Sequence, residues 1–262
     1  MTEWRFGTMG FSYSDWKEVF YPAGLKASEY LSHYARYFNS VELDTTFYAI
    51  PDVARVKNWA ASVPEDFRFS LKTPRAITHE GALDRNIGLM HDFVAAARNF
   101  EQKLGVVLIQ FPASFDESNI GRLGTFLRSL PNDVRFAVEF RNSSWFKEPM
   151  TAMLGELNIT LVAGEYAAPG RPMRLSADFI YVRWVGEHDR FEKLNYEQID
   201  VTDRLIWWQS ELESKTRGLK GVFGYFNNDY SGYGIGTCTR MKKMLGISTE
   251  VKGSSDQPTL FG

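Results

Sequence analysis

Five charged residues, Glu42, Lys72, Glu139, Arg141 and Arg183, define the chemistry this chain could do. Two carboxylates facing one pocket can act as base and acid when their surroundings pull their proton affinities apart. A lysine among apolar neighbours serves as a proton donor, or as a Schiff-base nucleophile once its proton affinity is lowered. Two arginines suit bidentate binding of a phosphate or carboxylate. Tyr13, Trp16, Tyr48 and Trp145 supply flat surfaces for stacking on a base or a sugar face. Asp44, His79, Gln110 and the run Asn227, Asn228 and Asp229 complete the set expected to bind substrate.

The elements that must position these residues follow from side-chain alternation. In VRFAVEFRNSSW, Val134 to Trp145, Phe136, Val138 and Phe140 share one face and Ala137, Glu139 and Arg141 the other. A strand that is apolar on one face, and ionic on the other only toward its C-terminal end, fits a barrel strand. The apolar face meets outer helices, and the ionic residues emerge at the rim where such enzymes work. The rhythm recurs along the chain. Strands are expected at Trp4 to Met9, Asn39 to Thr46, Phe67 to Lys72, Gly105 to Phe111, Ile159 to Ala163, Phe179 to Trp184 and Gly221 to Asn227. Helices are expected from Ser28, as N-cap, to Phe38, and at Asp52 to Ser62, Asp84 to Lys103, Glu117 to Leu130, Ser144 to Leu157, Ile199 to Lys215 and Ser231 to Leu245. Eight strands in a β-then-α alternation over 262 residues predict one α/β domain over residues 1–247, a (β/α)₈ TIM barrel. Residues 248–262, rich in Ser, Gly and Asp, read as a short flexible tail.

Inward parity then gathers Glu42, Asp44, Thr46, Ser70, Lys72, Gln110, Glu139, Arg141, Arg183, Tyr225 and Asn227 near the C-terminal ends of their strands. A chain selected only for stability would place Val, Leu and Ala there, because buried polar groups are costly unless paired. The bland alternative is that the ions satisfy one another, Glu42 with Arg183 and Glu139 with Lys72 or Arg141. If Glu139 is a rim group, Glu139→Ala should spare the fold and abolish binding or activity.

Composition removes some classes. Lys plus Arg is 30 against 32 for Asp plus Glu, a formal net charge of -2, so bulk charge draws the chain to neither nucleic acid nor membrane. Cys238 is the single cysteine, no apolar run reaches transmembrane length and the N-terminus has no signal-peptide pattern, so the expected location is cytoplasmic. The four histidines, His33, His79, His91 and His188, lack paired metal-ligand spacing. A carboxylate-bound Mg²⁺ or Mn²⁺ at Glu42, Asp44 and Glu139 is the one metal site the residue types allow, and no cofactor is expected. GTMG, Gly7 to Gly10, lacks the spacing of a dinucleotide fingerprint.

Seven motifs occur in order: GTMGFSYSDW, VELDTTFYAIP, FRFSLKTPRAITH, LGVVLIQFPASF, VEFRNSSW, YVRW and YFNNDYSGYG. Together they resemble the YecE-like family, domain of unknown function 72, over nearly the whole barrel. The resemblance implies a TIM barrel and brings no established activity. It implies motif roles for Tyr13, Trp16, Glu42, Tyr48, Lys72, Pro74, His79, Gln110, Glu139, Arg141, Trp145, Arg183, Asn227, Asn228 and Asp229. The chain departs from the family pattern at Met9, where Ser is common, at Asp44, where Asn is common, and at Asn142 and Val185, where His is common. The last two weaken any mechanism that needs a histidine in those loops.

Three functions follow as expectations. The first is an enzyme, a hydrolase or lyase, using Glu42, Glu139 and Lys72 on a phosphate-bearing substrate, nucleic acid included. The second is a sugar or small-acid isomerase or lyase, and the third a non-catalytic binding module. The tail adds a partner: Gln257, Leu260 and Phe261 resemble the peptide by which bacterial proteins dock on the DNA sliding clamp, with Leu260 and Phe261 as apolar anchors.

Overall fold

The structure is a computed structural model that describes residues 2–80, 83–165 and 173–249. The candidate clamp-docking residues Gln257, Leu260 and Phe261 lie outside the described residues. Among the described residues there are nine strands and eight α-helices. The strands are β1 (Glu3–Thr8), β2 (Ser40–Leu43), β3 (Arg68–Lys72), β4 (Leu104–Phe111), β5 (Phe136–Phe140), β6 (Thr160–Leu161), β7 (Ala163–Glu165), β8 (Phe179–Trp184) and β9 (Gly221–Phe226), with β6, β7 and β8 following one another directly among the described residues. The helices are α1 (Tyr30–Tyr34), α2 (Val53–Ala61), α3 (Arg75–Thr78), α4 (Ile87–Ala97), α5 (Ile120–Arg128), α6 (Glu148–Glu156), α7 (Thr202–Lys215) and α8 (Gly234–Met244). Among the described residues, no helix is long and apolar enough to cross a membrane.

All strand pairs are parallel, in two sheets ordered β1-β9-β8-β7 and β2-β3-β4-β5-β6. At one side a parallel bridge joins Met9 to Glu42, and the Gly10 N–H donates to the Glu42 carbonyl at 2.8 Å. Gly7 permits the close approach of β1 to β2, since a Cβ there would lie 1.9 Å from the Ser40 carbonyl oxygen. At the other side the expected sixth strand is divided. Thr160 and Leu161 pair with β5, Val162 donates to the Val138 carbonyl at 2.9 Å, and Ala163–Glu165 pair with β8.

Side-chain alternation sorts the core as the sequence requires. Phe136, Val138 and Phe140 join the large cluster between sheets and helices, with Val41, Leu43, Phe69 and Leu71. Ala137 falls in a second, smaller cluster with Val106, Leu108, Val162, Tyr181, Phe223 and Tyr225. Strand β4 is apolar on both faces because both are covered. Each large side chain so buried contributes on the order of 2 kcal/mol.

Several helix boundaries differ from the periodic reading. The segment opening at Ser28 begins as a 3-10 turn at Ala27–Glu29, where Glu29 accepts from the Lys26 N–H at 3.1 Å, so Ser28 caps nothing. The expected helix from Asp84 to Lys103 ends as α-helix at Ala97, and Glu101 takes φ 53 inside the 3-10 turn that follows. The helix expected from Asp52 to Ser62 runs from Val53 to Ala61, with Asp52 as its N-cap accepting from the Arg55 N–H at 2.8 Å.

Candidate active site

Arg183 and the two glutamates form one buried cage at the C-terminal ends of the strands. Glu42 lies on β2, Glu139 on β5 and Arg183 on β8, exposed by 0%, 1% and 3%. Arg183 donates from Nη2 and Nε to Glu42 at 2.7 and 3.0 Å, and from Nη1 to Glu139 Oε2 at 2.7 Å. Tyr181, two residues before Arg183 and on the same parity, donates its hydroxyl to Glu42 Oε2 at 2.6 Å. Arg141 donates from Nε to Glu139 Oε1 at 2.6 Å. The Met9 sulfur accepts weakly from Arg183 Nη2 at 3.3 Å. Two of the ion pairs anticipated as the bland alternative, Glu42 with Arg183 and Glu139 with Arg141, are therefore formed; Lys72 makes no pair with Glu139.

The cage matters for chemistry because neither glutamate is idle. Separating a buried carboxylate from its guanidinium costs several kcal/mol, so proton shuttling by Glu42 or Glu139 would work against the fold. The guanidinium also stands between the two carboxylates, where a cation would need to sit. Among the described residues, no group of three or more His, Cys, Asp or Glu is placed to hold a metal.

Above the cage lie groups with open valences. The ammonium of Lys72, the last residue of β3, has no hydrogen bond or ion pair among the described residues, and its Nζ sits 4.0 Å from the centre of the Phe47 ring. Burial, and then the charge of Arg183, lower its proton affinity. Asp44 follows β2 by one residue, one step past the Leu43–Leu71 register, and its charge and that of Lys72 attract each other without an ion pair within 4.0 Å. Its Oδ1 accepts no hydrogen bond and lies 3.9 Å from Arg183 Nη2. Burial first, and then the Glu42 carboxylate, raise its pKa to about 7 against the pull of Arg183 and Lys72. Gln110, opposite Glu139 in the β4–β5 register, also leaves its buried Oε1 unpartnered. Thr46 fixes the loop between them, donating to the carbonyls of Leu43 and Lys72 at 2.8 and 2.7 Å.

Around these groups stand His79 and Tyr13. His79 packs edge-on against Phe47 at 5.2 Å, and its Nδ1 is 2.7 Å from the Thr78 hydroxyl. Burial, followed by the charges of Lys72 and Arg75, lowers its proton affinity, which keeps the ring neutral at pH 7. Tyr13 donates to the Met9 carbonyl at 2.6 Å, and burial followed by Asp44, Asp229 and Glu42 raises its pKa far above the phenol range. Below the cage, the Tyr225 hydroxyl bridges Ser40 and Ser70 at 2.5 and 2.8 Å, closing the interior with satisfied polar groups.

Other sequence candidates lie elsewhere. Trp16 is fully buried against Tyr13, Phe20 and Tyr21, and Trp145 is buried against Phe115 and Phe140, so neither ring has a face open to a ligand. Tyr48 is 83% exposed and touches Phe47 edge-on. Asn227 accepts from the Asp229 N–H, and Asn228 Oδ1 accepts from the Gly234 N–H at 2.9 Å, so both hold the turn into α8. Gly186, at φ 77, lets the loop after β8 lie against that turn, since a Cβ would come within 2.1 Å of the Asp229 carbonyl. Parity reasoning missed the Phe47 contact under Lys72, because Phe47 belongs to a 3-10 turn and not to a strand. It also missed Glu165, a buried carboxylate at the end of β7 bonded to Arg204, Trp208 and Tyr230. Two clefts of about 510 and 440 Å³ open beside Asn158 and Asp178, residues that precede β6 and β8, at the opposite strand ends from Lys72.

With this geometry established, relatives place the chain. The family described as "Protein of unknown function DUF72" matches residues 5–260. The chain is 36% identical over 116 residues to UPF0759 protein YecE of Escherichia coli (strain K12), a match covering 44% of this chain and 43% of that relative. It is 27% identical over 255 residues to UPF0759 protein YunF of Bacillus subtilis (strain 168), covering 87% and 90%. A DUF72 family protein from Thermotoga maritima MSB8 superposes with a TM-score of 0.77 at 30% identity, covering 93% of this chain and 99% of that one. One from Enterococcus faecalis V583 gives 0.75 at 24%, covering 95% and 99%, a likeness of fold. The chain belongs to the DUF72 family.

Proposed function

We propose that this protein is an enzyme, a hydrolase or lyase, that moves protons on a phosphate-bearing substrate at the C-terminal strand ends. The observation that carries the reading is the pair Asp44 and Lys72. They are an acid and a base whose charges act on each other, Lys72 Nζ making no hydrogen bond or ion pair and Asp44 Oδ1 accepting no hydrogen bond among the described residues, above the cage that Arg183 forms with Glu42 and Glu139. An acid with a pKa of about 7 is poised for general acid–base work at neutral pH. The proton-transfer roles first assigned to Glu42 and Glu139 thus pass to Asp44 and Lys72, and the glutamates become the frame. Lys72 and Arg141 supply positive charge for a phosphate, while Arg183, bonded to both glutamates, orients the frame.

A sugar or small-acid isomerase or lyase is the second reading. It is favoured by the unpartnered acceptors Asp44 Oδ1 and Gln110 Oε1, which match donating hydroxyls. The Met9–Glu42 bridge and the divided strand Thr160 to Glu165 support closing the two sheets into one (β/α)₈ barrel over residues 1–247. The tail would then bring the barrel to a DNA sliding clamp, making nucleic acid one source of the phosphate. The single cysteine favours a cytoplasmic setting.

A thermal-shift screen of phosphorylated hydroxy compounds, run on wild type and on Lys72→Met, tests the reading. Compounds that raise the midpoint of wild type and leave the variant unmoved support it. A panel whose hits all act equally on both proteins contradicts it.

A further inference from the structure

We propose that Lys72 forms a covalent imine with an aldehyde or ketone that also carries an anionic group, and that Asp44 supplies the proton that expels the carbonyl oxygen as water. The proposal rests on the proton-transfer reading above and names its substrate class.

The geometry separates this role from simple anion holding. A lysine that only grips phosphate gains from donors beside it and loses from a carboxyl group beside it. Lys72 has a carboxyl within electrostatic reach, Asp44, one residue past the Leu43–Leu71 register, and an aromatic face beneath it, Phe47, at 4.0 Å. That is the pairing imine formation needs: an amine whose Nζ has no hydrogen-bond partner among the described residues, and a nearby acid. The other charged groups around it, Glu42, Glu139 and Arg183, are bound to one another, and His79 lies across Phe47.

The step balances. The Lys72 ammonium releases one proton to solvent, the neutral Nζ amine adds to the carbonyl carbon, and the amine proton passes to the oxygen to give a carbinolamine. The Asp44 carboxyl protonates that hydroxyl, the C–O bond breaks and water departs. The nitrogen lone pair completes the C=N bond, leaving a protonated imine and an Asp44 carboxylate. The product nitrogen still bears one positive charge, so its contact with the Phe47 ring and its attraction to Asp44 survive the covalent step. Hydroxyl groups next to the carbonyl would donate to Gln110 Oε1 and Asp44 Oδ1, which otherwise stay unsatisfied.

Wild-type protein treated with glycolaldehyde phosphate and sodium cyanoborohydride, followed by intact mass and peptide mapping, tests this directly. Glycerol 3-phosphate, which has the anion and no carbonyl, is titrated in parallel by calorimetry. The expected result is one adduct per chain on Lys72, formed at least about tenfold faster than on exposed Lys147 and slowed about tenfold or more by Asp44→Asn. Labelling spread over surface lysines without enrichment at Lys72 overturns the imine. If glycerol 3-phosphate still binds in that case, the proton-transfer reading stands; if it does not bind either, both readings fall.

Discussion

Arg183 reaches from one sheet to Glu139 on the other, Nη1 to Oε2 at 2.7 Å, and holds Glu42 with the rest of its guanidinium. The pair is almost wholly buried, so the charge that draws attention in the sequence is structural at its centre and available only at its edge.

Removing one member of this cage leaves a buried charge unmatched. Glu139→Ala should therefore lower stability by about 3–5 kcal/mol, measured by urea unfolding, and not spare the fold as its rim position in the sequence suggests. A loss below about 1 kcal/mol, typical of an exposed pair, would show that Arg183 finds compensation elsewhere.

Lys72 should behave in the opposite way. Its ammonium has no ion-pair partner among the described residues, so Lys72→Met, similar in volume, is expected to leave the thermal midpoint unchanged or raise it. Binding of a phosphate-bearing ligand should fall about tenfold or more, the loss of one charge-assisted contact. Calorimetry with any hit from the screen reads the second effect.

Asp44 predicts a pH dependence of stability. Its folded pKa of about 7 lies above the ordinary carboxyl value of 3.8. Between those values the unfolded chain has released the proton that the folded chain keeps, so stability falls as pH rises through the window and is level above it. The side chain is 39% exposed, and with solvent screening the loss should be on the order of 1 kcal/mol. Asp44→Asn should lack that slope in denaturation curves taken from about pH 4 to 7.

The tail makes an independent prediction. A peptide spanning Ser254 to Gly262 should bind a bacterial sliding clamp, and Leu260→Ala or Phe261→Ala should abolish that binding. Binding indifferent to both changes would remove the link to DNA.

Alternation along strands was legible in the sequence because period two leaves no freedom. Ala137 and Phe136 had to fall on opposite faces, and they do. The convergence of Glu42, Lys72, Glu139 and Arg183 followed from the same rule. Which of them pair did not, since parity places a residue on a face and says nothing of which neighbour its charge meets. Trp16 and Trp145 carry the flat surface of a stacking platform in the sequence, yet packing against Tyr13 and Phe140 closes both faces. Glu165 went unread because the strand carrying it is broken at Val162, and its partners Arg204 and Trp208 lie on a helix far along the chain.

The most direct test is the titration of the Asp44 carboxyl carbon by ¹³C NMR in labelled protein, assigned with Asp44→Asn. A midpoint near 7 is the predicted result, placing the exchangeable proton of the site on Asp44. A midpoint near 4, the ordinary carboxyl value, would contradict it and return the site to a set of matched ions with no acid poised for catalysis.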